Sequence, residues 1–159
     1  MTDGVDRPTG KTRRVELVKG VFRLKGLPLF KGLNSERLLS VSEAVTQVSF
    51  PAGQVVCTEG EEARFVYILV DGEAEALRDG HPVVSYRSGD IMGELSITEE
   101  GTHPLTVRIM ADATLLRMTR YDFRELLDVV PELSMNVIAV LTDRLRDALN
   151  LLKPYSKSG

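Results

Sequence analysis

The sequence predicts a mainly β fold with flanking helices: an antiparallel β-roll, of the jelly-roll-like barrel kind, with N-terminal helices and two C-terminal helices. Three observations predict it. Short apolar and β-branched runs recur between residues 46 and 120, and turn signals separate them at about every eight to twelve residues. No segment between the runs is long enough for the helical crossover that parallel strands require. A helical period appears only outside this region.

The apolar runs set the expected strands. They lie at Val48–Phe50, Gln54–Cys57, Phe65–Val70, Ala74–Leu77, Val83–Tyr86, Thr106–Ile109 and Ala113–Thr119. The turn signals are Pro51-Ala52-Gly53, Glu59-Gly60-Glu61, Asp71-Gly72, Asp79-Gly80 and Ser88-Gly89-Asp90. Asp71-Gly72 falls between two of these runs, so we expect a turn there.

Helices are expected on both sides of the roll. Asn34 or Ser35 can cap a helix that runs through Ala44. Its inward side chains are predicted to be Leu38, Leu39 and Val41. After the roll, one helix is predicted from Tyr121 to Val130 and a longer one from Pro131 to near Leu152, with Pro131 in the first turn.

The last predicted helix carries an apolar seam. Its members, spaced alternately by three and four residues, are Ile138, Leu141, Leu145, Ala148 and Leu152. Two interpretations remain open: the seam packs on the roll, or it pairs with the same helix of a second subunit to form a homodimer.

These elements divide the chain into a basic N-terminal arm or helix over 1–26, one domain over 27–152 and a short tail over 153–159. Within the domain we expect the roll at about 46–120 and the C-terminal helices at about 121–152. The arm is either solvated or in contact with an anionic partner or a membrane surface.

Composition excludes several classes of protein. A chain of 159 residues, 43% of them hydrophobic, suits one domain with one core. The formal charge of −3 does not favour binding to nucleic acid. The single Cys57 allows no internal disulfide, so the cytoplasm is the expected compartment. Apolar runs such as Phe65–Val70 are too short to insert across a membrane.

The sequence offers little for catalysis. His81 and His103 lie far apart and in no metal-ligand spacing, so we expect neither a metal nor another bound cofactor. Cys57 lies in a predicted strand and is expected to be a buried structural thiol. Nucleophile-elbow and Walker-type phosphate-loop patterns are missing from the sequence. We therefore predict no catalytic residue and no enzyme activity.

The segment Arg87–Ile97, RSGDIMGELSI, suits a ligand. Gly89 and Gly93 let the backbone approach a bound molecule, and its free N–H groups can face an anion. Glu94, which follows Gly93, can accept hydrogen bonds from sugar hydroxyls.

At this point the chain resembles the cyclic-nucleotide-binding domain family, in the β-roll form of the catabolite activators and protein kinase A regulatory subunits. The resemblance covers about Leu27 to Leu152. Its segments, in order, are LPLFKGL (Leu27–Leu33), FPAGQVVCTEGEE (Phe50–Glu62), a hairpin at VYILVDGEAEAL (Val66–Leu77), RSGDIMGELSI (Arg87–Ile97) and TVRIMADATLLRMTRYDFREL (Thr106–Leu126). It implies a roll that cradles a phosphate-binding cassette, and two helices whose movement reports occupancy.

The resemblance also assigns the cassette residues. They fall on Gly93, Glu94, Leu95 and Ser96, and on His103, Pro104, Leu105 and Thr106. In the family the glutamate holds the ribose 2′-hydroxyl and an arginine grips the cyclic phosphate. Here His103 occupies the arginine position, Pro104 lacks a backbone N–H, and Leu105 is larger than the family's small residue. Strand alternation places Arg108 on the opposite face from position 103, so a simple replacement by Arg108 is not expected.

Two functions follow. The first is a regulatory or sensor domain that binds cAMP or cGMP weakly, with protonated His103 as a partial anchor, and transmits occupancy to an effector through its C-terminal helices; it predicts affinity that depends on pH. The alternative is a degenerate domain that binds no nucleotide and acts as a protein-interaction or allosteric module; it predicts no binding even at millimolar ligand.

Overall fold

The computed structural model describes residue 20 and residues 23–94 and 101–152. Six strands form an antiparallel sheet that is rolled on itself, flanked by helices. The strands are β1 (Thr46–Phe50), β2 (Val55–Cys57), β3 (Phe65–Arg78), β4 (His81–Tyr86), β5 (Ile91–Met92) and β6 (Thr106–Thr119). The helices are a 3-10 turn (Pro28–Phe30), α1 (Ser35–Ala44), α2 (Arg120–Val129) and α3 (Pro131–Leu151). The predicted β-roll with flanking helices is confirmed.

β3 and β6 are the two long strands around which the roll is built. The main sheet order is β1-β6-β3-β4, while β2 adds to β6 and β5 adds to β3. The residues Asp79 and Gly80 form the predicted two-residue turn between β3 and β4, which pair from Arg78↔His81 onward. β5 pairs with β3 through Tyr67↔Met92 and Ile68↔Ile91, and it was not expected from the sequence.

The expected hairpin at Asp71-Gly72 is wrong, because β3 continues through these residues. The sequence also suggested two strands in place of β6, which is likewise continuous. Register shifts between Leu69 and Ala74 mark bulges that bend the β3–β6 pair. A Cβ on Gly72 would lie 2.6 Å from the carbonyl oxygen of Asp112, so this glycine serves the close approach of two strands.

The first half of β3 is buried on both faces. Val66 and Ile68 belong to the core under the helices, whereas Tyr67 and Leu69 face the interior of the roll. Burial on both sides explains why the run Phe65–Val70 is apolar throughout rather than alternating.

The N-terminal helix α1 begins at the predicted cap. The Asn34 side chain accepts a hydrogen bond of 2.9 Å from the backbone N–H of Arg37. Leu38 and Val41 are buried as expected. Leu39, expected inward, is instead 38% exposed.

The last helix, α3, is anchored by its first half. Pro131 occupies the first turn as predicted, and Leu133 and Val137 are buried. Asn136 Nδ2 donates hydrogen bonds of 2.8 Å to the carbonyl oxygens of both Leu29 and Lys31. From Leu141 to Leu151 every residue is exposed except the partly buried Arg144. Within the described part of the chain, no helix is long and apolar enough to cross a membrane.

Candidate functional site

A cleft lies between the end of β5 and the segment that leads into β6. Its described lining residues are Cys57, Tyr86, Gly93, Glu94, His103, Pro104, Leu105 and Val107. They leave a cavity of about 20 Å³. A cavity of this size suits a single water molecule, whereas pockets for small-molecule ligands occupy about 300 to 1,000 Å³. The space between the described lining residues is therefore too small for a nucleotide in this conformation.

Gly93 sets the path of the backbone at the floor of the cleft. Its φ is +84°, and a Cβ there would lie 2.8 Å from the carbonyl oxygen of Phe65. Both the left-handed backbone and the close approach to β3 require glycine. This geometry directs the next residue, Glu94, into the cleft, where its side chain is 3% exposed.

The segment that carries His103 is tied to the turn after β2. The His103 N–H donates to the carbonyl oxygen of Glu61 at 2.8 Å, and its own carbonyl accepts from Gly60 N–H at 2.9 Å. The hydroxyl of Thr106 accepts from the backbone N–H of Glu59 at 3.0 Å. These bonds hold His103 beside Gly93, with the ring Cε1 3.9 Å from the position of a Cβ on that glycine.

His103 is poorly suited to be a cation. Its residue exposure is 8%. Burial lowers the pKa of its imidazole below 6.5, although the carboxylate of Glu61 opposes the shift. The side chain is therefore neutral at pH 7 and cannot replace a permanently charged arginine fork. Arg108 is not available either, because its guanidinium donates to Glu75 Oε1 at 2.6 Å.

A different arginine contacts two of the lining residues, Glu94 and Tyr86. The guanidinium of Arg144, from α3, donates one hydrogen bond to Glu94 Oε1 and another to the carbonyl oxygen of Ile91. Its Cζ lies 5.1 Å from the centre of the Tyr86 ring. Burial lowers the pKa of Arg144, with Tyr86 and Asp90 opposing, yet arginine remains a cation in proteins. The cassette carboxylate thus already has a cationic partner.

Two uncharged side chains complete the wall. Burial raises the pKa of the Cys57 thiol to about 12, so the group is a thiol rather than a thiolate, in line with a structural role. Burial also raises the pKa of Tyr86, and its hydroxyl stays protonated. Among the described residues, no cluster of His, Cys, Asp and Glu is arranged to hold a metal ion.

The structure brings together five of the residues assigned to the cassette. They are Gly93, Glu94, His103, Pro104 and Leu105. Thr106 lies next to them, but its hydroxyl is bonded to Glu59. Leu95 and Ser96 lie outside the described residues. Sequence reasoning missed Tyr86 and Arg144, and only the position of Tyr86 at the end of an apolar strand offered a signal.

Comparisons with known proteins agree with this architecture. Residues 47–129 match the Cyclic nucleotide-binding domain family. The chain is 32% identical over 109 residues to the cAMP-dependent protein kinase regulatory subunit of Emericella nidulans, an alignment that covers 67% of this chain and 26% of that protein. The chain therefore spans about a quarter of the length of that relative.

Two solved structures share the fold. The cAMP-bound PfPKA-R (141–441) superposes with a TM-score of 0.73 at 21% identity, covering 90% of this chain and 48% of that one. The regulatory subunit of a cAMP-independent protein kinase A from Trypanosoma cruzi, bound to guanosine, gives 0.72 at 23% identity, covering 91% and 52%. With the family match over residues 47–129, the β-roll and the cleft beside Gly93 and Glu94, the chain belongs to the cyclic nucleotide-binding domain family.

Proposed function

We propose that this chain is a regulatory domain that binds a cyclic nucleotide in the cleft beside β5. Binding of the ligand is then signalled to an effector that is not among the described residues. The observation that carries the proposal is the buried carboxylate of Glu94, which Gly93 directs into the cleft. Arg144 holds one oxygen of this carboxylate, and the other oxygen can accept hydrogen bonds from the hydroxyl groups of a ribose. The relative from Emericella nidulans is a cAMP-dependent regulatory subunit, which makes cAMP the first ligand to test.

We expect weak binding of the phosphate. A neutral His103 offers at most one hydrogen bond where the family has a charged arginine. Loss of one member of a desolvated charge pair costs about 2 to 5 kcal/mol, or about thirtyfold to several thousandfold in affinity. Pro104 contributes no N–H, and Leu105 occupies part of the space. An affinity in the micromolar range or weaker follows.

We propose that α3 transmits the binding of the ligand to the effector. This helix starts on the 3-10 turn, through the bonds of Asn136 to Leu29 and Lys31, and reaches the cleft at Arg144. A change in the cleft therefore acts on the helix directly. We propose further that the domain performs no catalysis and works in the cytoplasm, where a buried free thiol such as Cys57 suits the reducing conditions.

The exposed seam of α3 supports a homodimer. Ile138, Leu141 and Leu145 are 54%, 37% and 61% exposed, so the seam does not pack on the roll. Their spacing is that of a coiled-coil seam, which is complementary to a second copy of itself. We propose that the partner of this face is the same helix of another subunit.

Calorimetric titration of the purified chain with cAMP, cGMP and guanosine tests the function. Guanosine is included because it lacks the phosphate and is held by a structurally similar regulatory subunit. Saturable binding of a cyclic nucleotide supports the proposal. His103→Arg should strengthen binding of cAMP and leave guanosine unaffected, since only cAMP carries the phosphate. The absence of binding by both proteins at millimolar ligand would contradict nucleotide binding and favour the degenerate, protein-interaction alternative.

A further inference from the structure

The cassette segment, residues 93–107, is acidic in its own sequence. It contains the glutamates Glu94, Glu99 and Glu100 and neither lysine nor arginine. Its one other titratable side chain is His103. Burial lowers the pKa of this imidazole, so it adds no positive charge at neutral pH. The segment that would face a cyclic phosphate therefore supplies three carboxylates and no cation.

The turn that holds His103 in place adds another acidic group. The N–H of His103 donates to the carbonyl oxygen of Glu61 at 2.8 Å. The Glu61 carboxylate acts on the imidazole strongly enough to oppose the effect of burial on its pKa. An anion placed against His103 would therefore be repelled by Glu61 as well, and repulsion between like charges is stronger away from bulk water.

Arginines on the neighbouring elements do not compensate, because they already have acidic partners. The pairs are Arg144 with Glu94, Arg64 with Glu62 and Arg108 with Glu75. Each pair is neutral as a whole. Among the described residues that line the cleft, the one charged side chain is the carboxylate of Glu94.

The remaining wall suits an uncharged ligand. Cys57 and Val107 belong to the apolar interior of the roll, and Leu105 packs against it. Transfer of an anion to such a surface is costly unless a cation or several N–H groups meet it. Pro104 has no N–H to offer. A sugar and a base carry no charge, so they avoid this cost.

Glu94 is matched to the sugar rather than to a phosphate. Arg144 holds one oxygen of its carboxylate, and the other can accept hydrogen bonds from ribose hydroxyls. An ionised carboxylate only accepts hydrogen bonds, so it can hold a hydroxyl but not a phosphate oxygen. The contact that the site offers is therefore one that a nucleoside makes as fully as a nucleotide.

We propose that the cassette of this chain binds an uncharged ribonucleoside at least as tightly as the matching cyclic nucleotide. This inference rests on the proposed function, because it names the class of ligand that the same site takes. Where a charged anchor is present, its pairing with the phosphate is worth about thirtyfold to several thousandfold in affinity. Here the phosphate adds nothing, or weakens binding.

Calorimetric titration of the full chain at about pH 7.5 tests the inference with two matched pairs of ligands, adenosine with cAMP and guanosine with cGMP. Each pair shares a base and differs in the cyclic phosphate. We expect the nucleoside to bind as tightly as its cyclic nucleotide or more tightly. A cyclic nucleotide bound more tightly than its nucleoside overturns the inference, while the proposed function stands.

The 2′-deoxynucleosides test the contact with Glu94 without altering the protein. Loss of a hydrogen bond to a charged group should weaken binding by about tenfold to a hundredfold. Equal binding of adenosine and 2′-deoxyadenosine would overturn the ribose contact on which the inference depends. Binding of nucleosides without cyclic nucleotides would support the inference and contradict the proposed ligand. If none of the ligands binds at millimolar concentration, both are wrong.

Two variants test whether the missing cation sets the order of affinity. His103→Arg supplies a cation in the cassette, so cAMP should bind about tenfold or more tighter than to the parent, whereas adenosine should be unchanged. The matched control is Ser49→Arg, which adds the same charge at an exposed position of β1, a strand that contributes none of the described lining residues. Ser49→Arg should keep the order of the parent. A preference for cAMP in Ser49→Arg would show that net charge sets the order and would overturn the inference.

Discussion

A Cβ on Gly93 would lie 2.8 Å from the carbonyl oxygen of Phe65, so the loop after β5 rests directly on the first residue of β3. The contact fixes where Glu94 begins and therefore where the cassette carboxylate points. It also gives a way to separate the cost of a strained backbone from the cost of a steric clash, because Gly80 shares a positive φ but has open space around it.

Gly93→Ala should be markedly more destabilising than Gly80→Ala. The left-handed backbone alone costs about 1 to 2 kcal/mol for a non-glycine residue, and this applies to both positions. At Gly93 the clash with a strand backbone adds about 1 to 3 kcal/mol. Urea unfolding of the two variants measures the difference. Equal losses would mean that the loop moves away from β3 at little cost.

The stability of the domain should fall as the pH drops below about 6.5, in part because of His103. The pKa of this imidazole is lowered in the folded state, by burial first, so the unfolded chain binds a proton more readily. Stability is therefore complete above the unfolded value and is lost as the pH falls toward the folded one. His103→Asn should flatten the Tm profile between about pH 5 and 7.5. A variant profile parallel to that of the parent would contradict the assignment.

The His103 imidazole should also make the affinity for a cyclic nucleotide depend on pH. Protonated His103 attracts the cyclic phosphate, so binding should tighten as the pH falls. Because the pKa is lowered, most of the gain should appear below about pH 6.5 rather than near neutrality. Titration with cAMP at about pH 5.5 and pH 7.5 measures it, with guanosine as the uncharged control. Equal affinity for cAMP at both values would show that His103 does not face the phosphate.

Many local features of this fold were predicted from the sequence. The predictions that failed share one cause, which is contact between residues that lie far apart in the sequence. The cap at Asn34, the turn at Asp79-Gly80 and the helix start at Pro131 each depend on a few neighbouring residues, and each was predicted. Gly72 carries the same local signal as a hairpin turn, but its conformation is decided by the approach of Asp112 from another strand. The ion pair of Arg144 with Glu94 joins residues that are 50 positions apart in the sequence, and no local pattern predicts it. The cassette positions came from the family resemblance, whereas the contact of Arg144 with Glu94 is seen only in the fold.

Asn136 should contribute more to stability than its place on a partly exposed helix suggests. Its side-chain amide donates to the carbonyl oxygens of both Leu29 and Lys31, which joins α3 to the start of the domain. Asn136→Ala should lower the free energy of unfolding by about 1 to 3 kcal/mol. The matched control is Asn150→Ala, near the exposed end of the same helix. Equal effects in denaturant titration would show that these two bonds do not hold the helix.

The seam of α3 should determine the oligomeric state. Leu145 is 61% exposed at the middle of a seam that also contains Ile138 and Leu141. Leu145→Glu places like charges opposite each other in a symmetric helix pair, so we expect sedimentation equilibrium to show a monomer where the parent is a dimer. Val83→Glu, at an exposed apolar position of β4, controls for a general loss of surface hydrophobicity and should remain a dimer. A parent that stays monomeric at high micromolar concentration would exclude the symmetric pair and leave the seam for an effector.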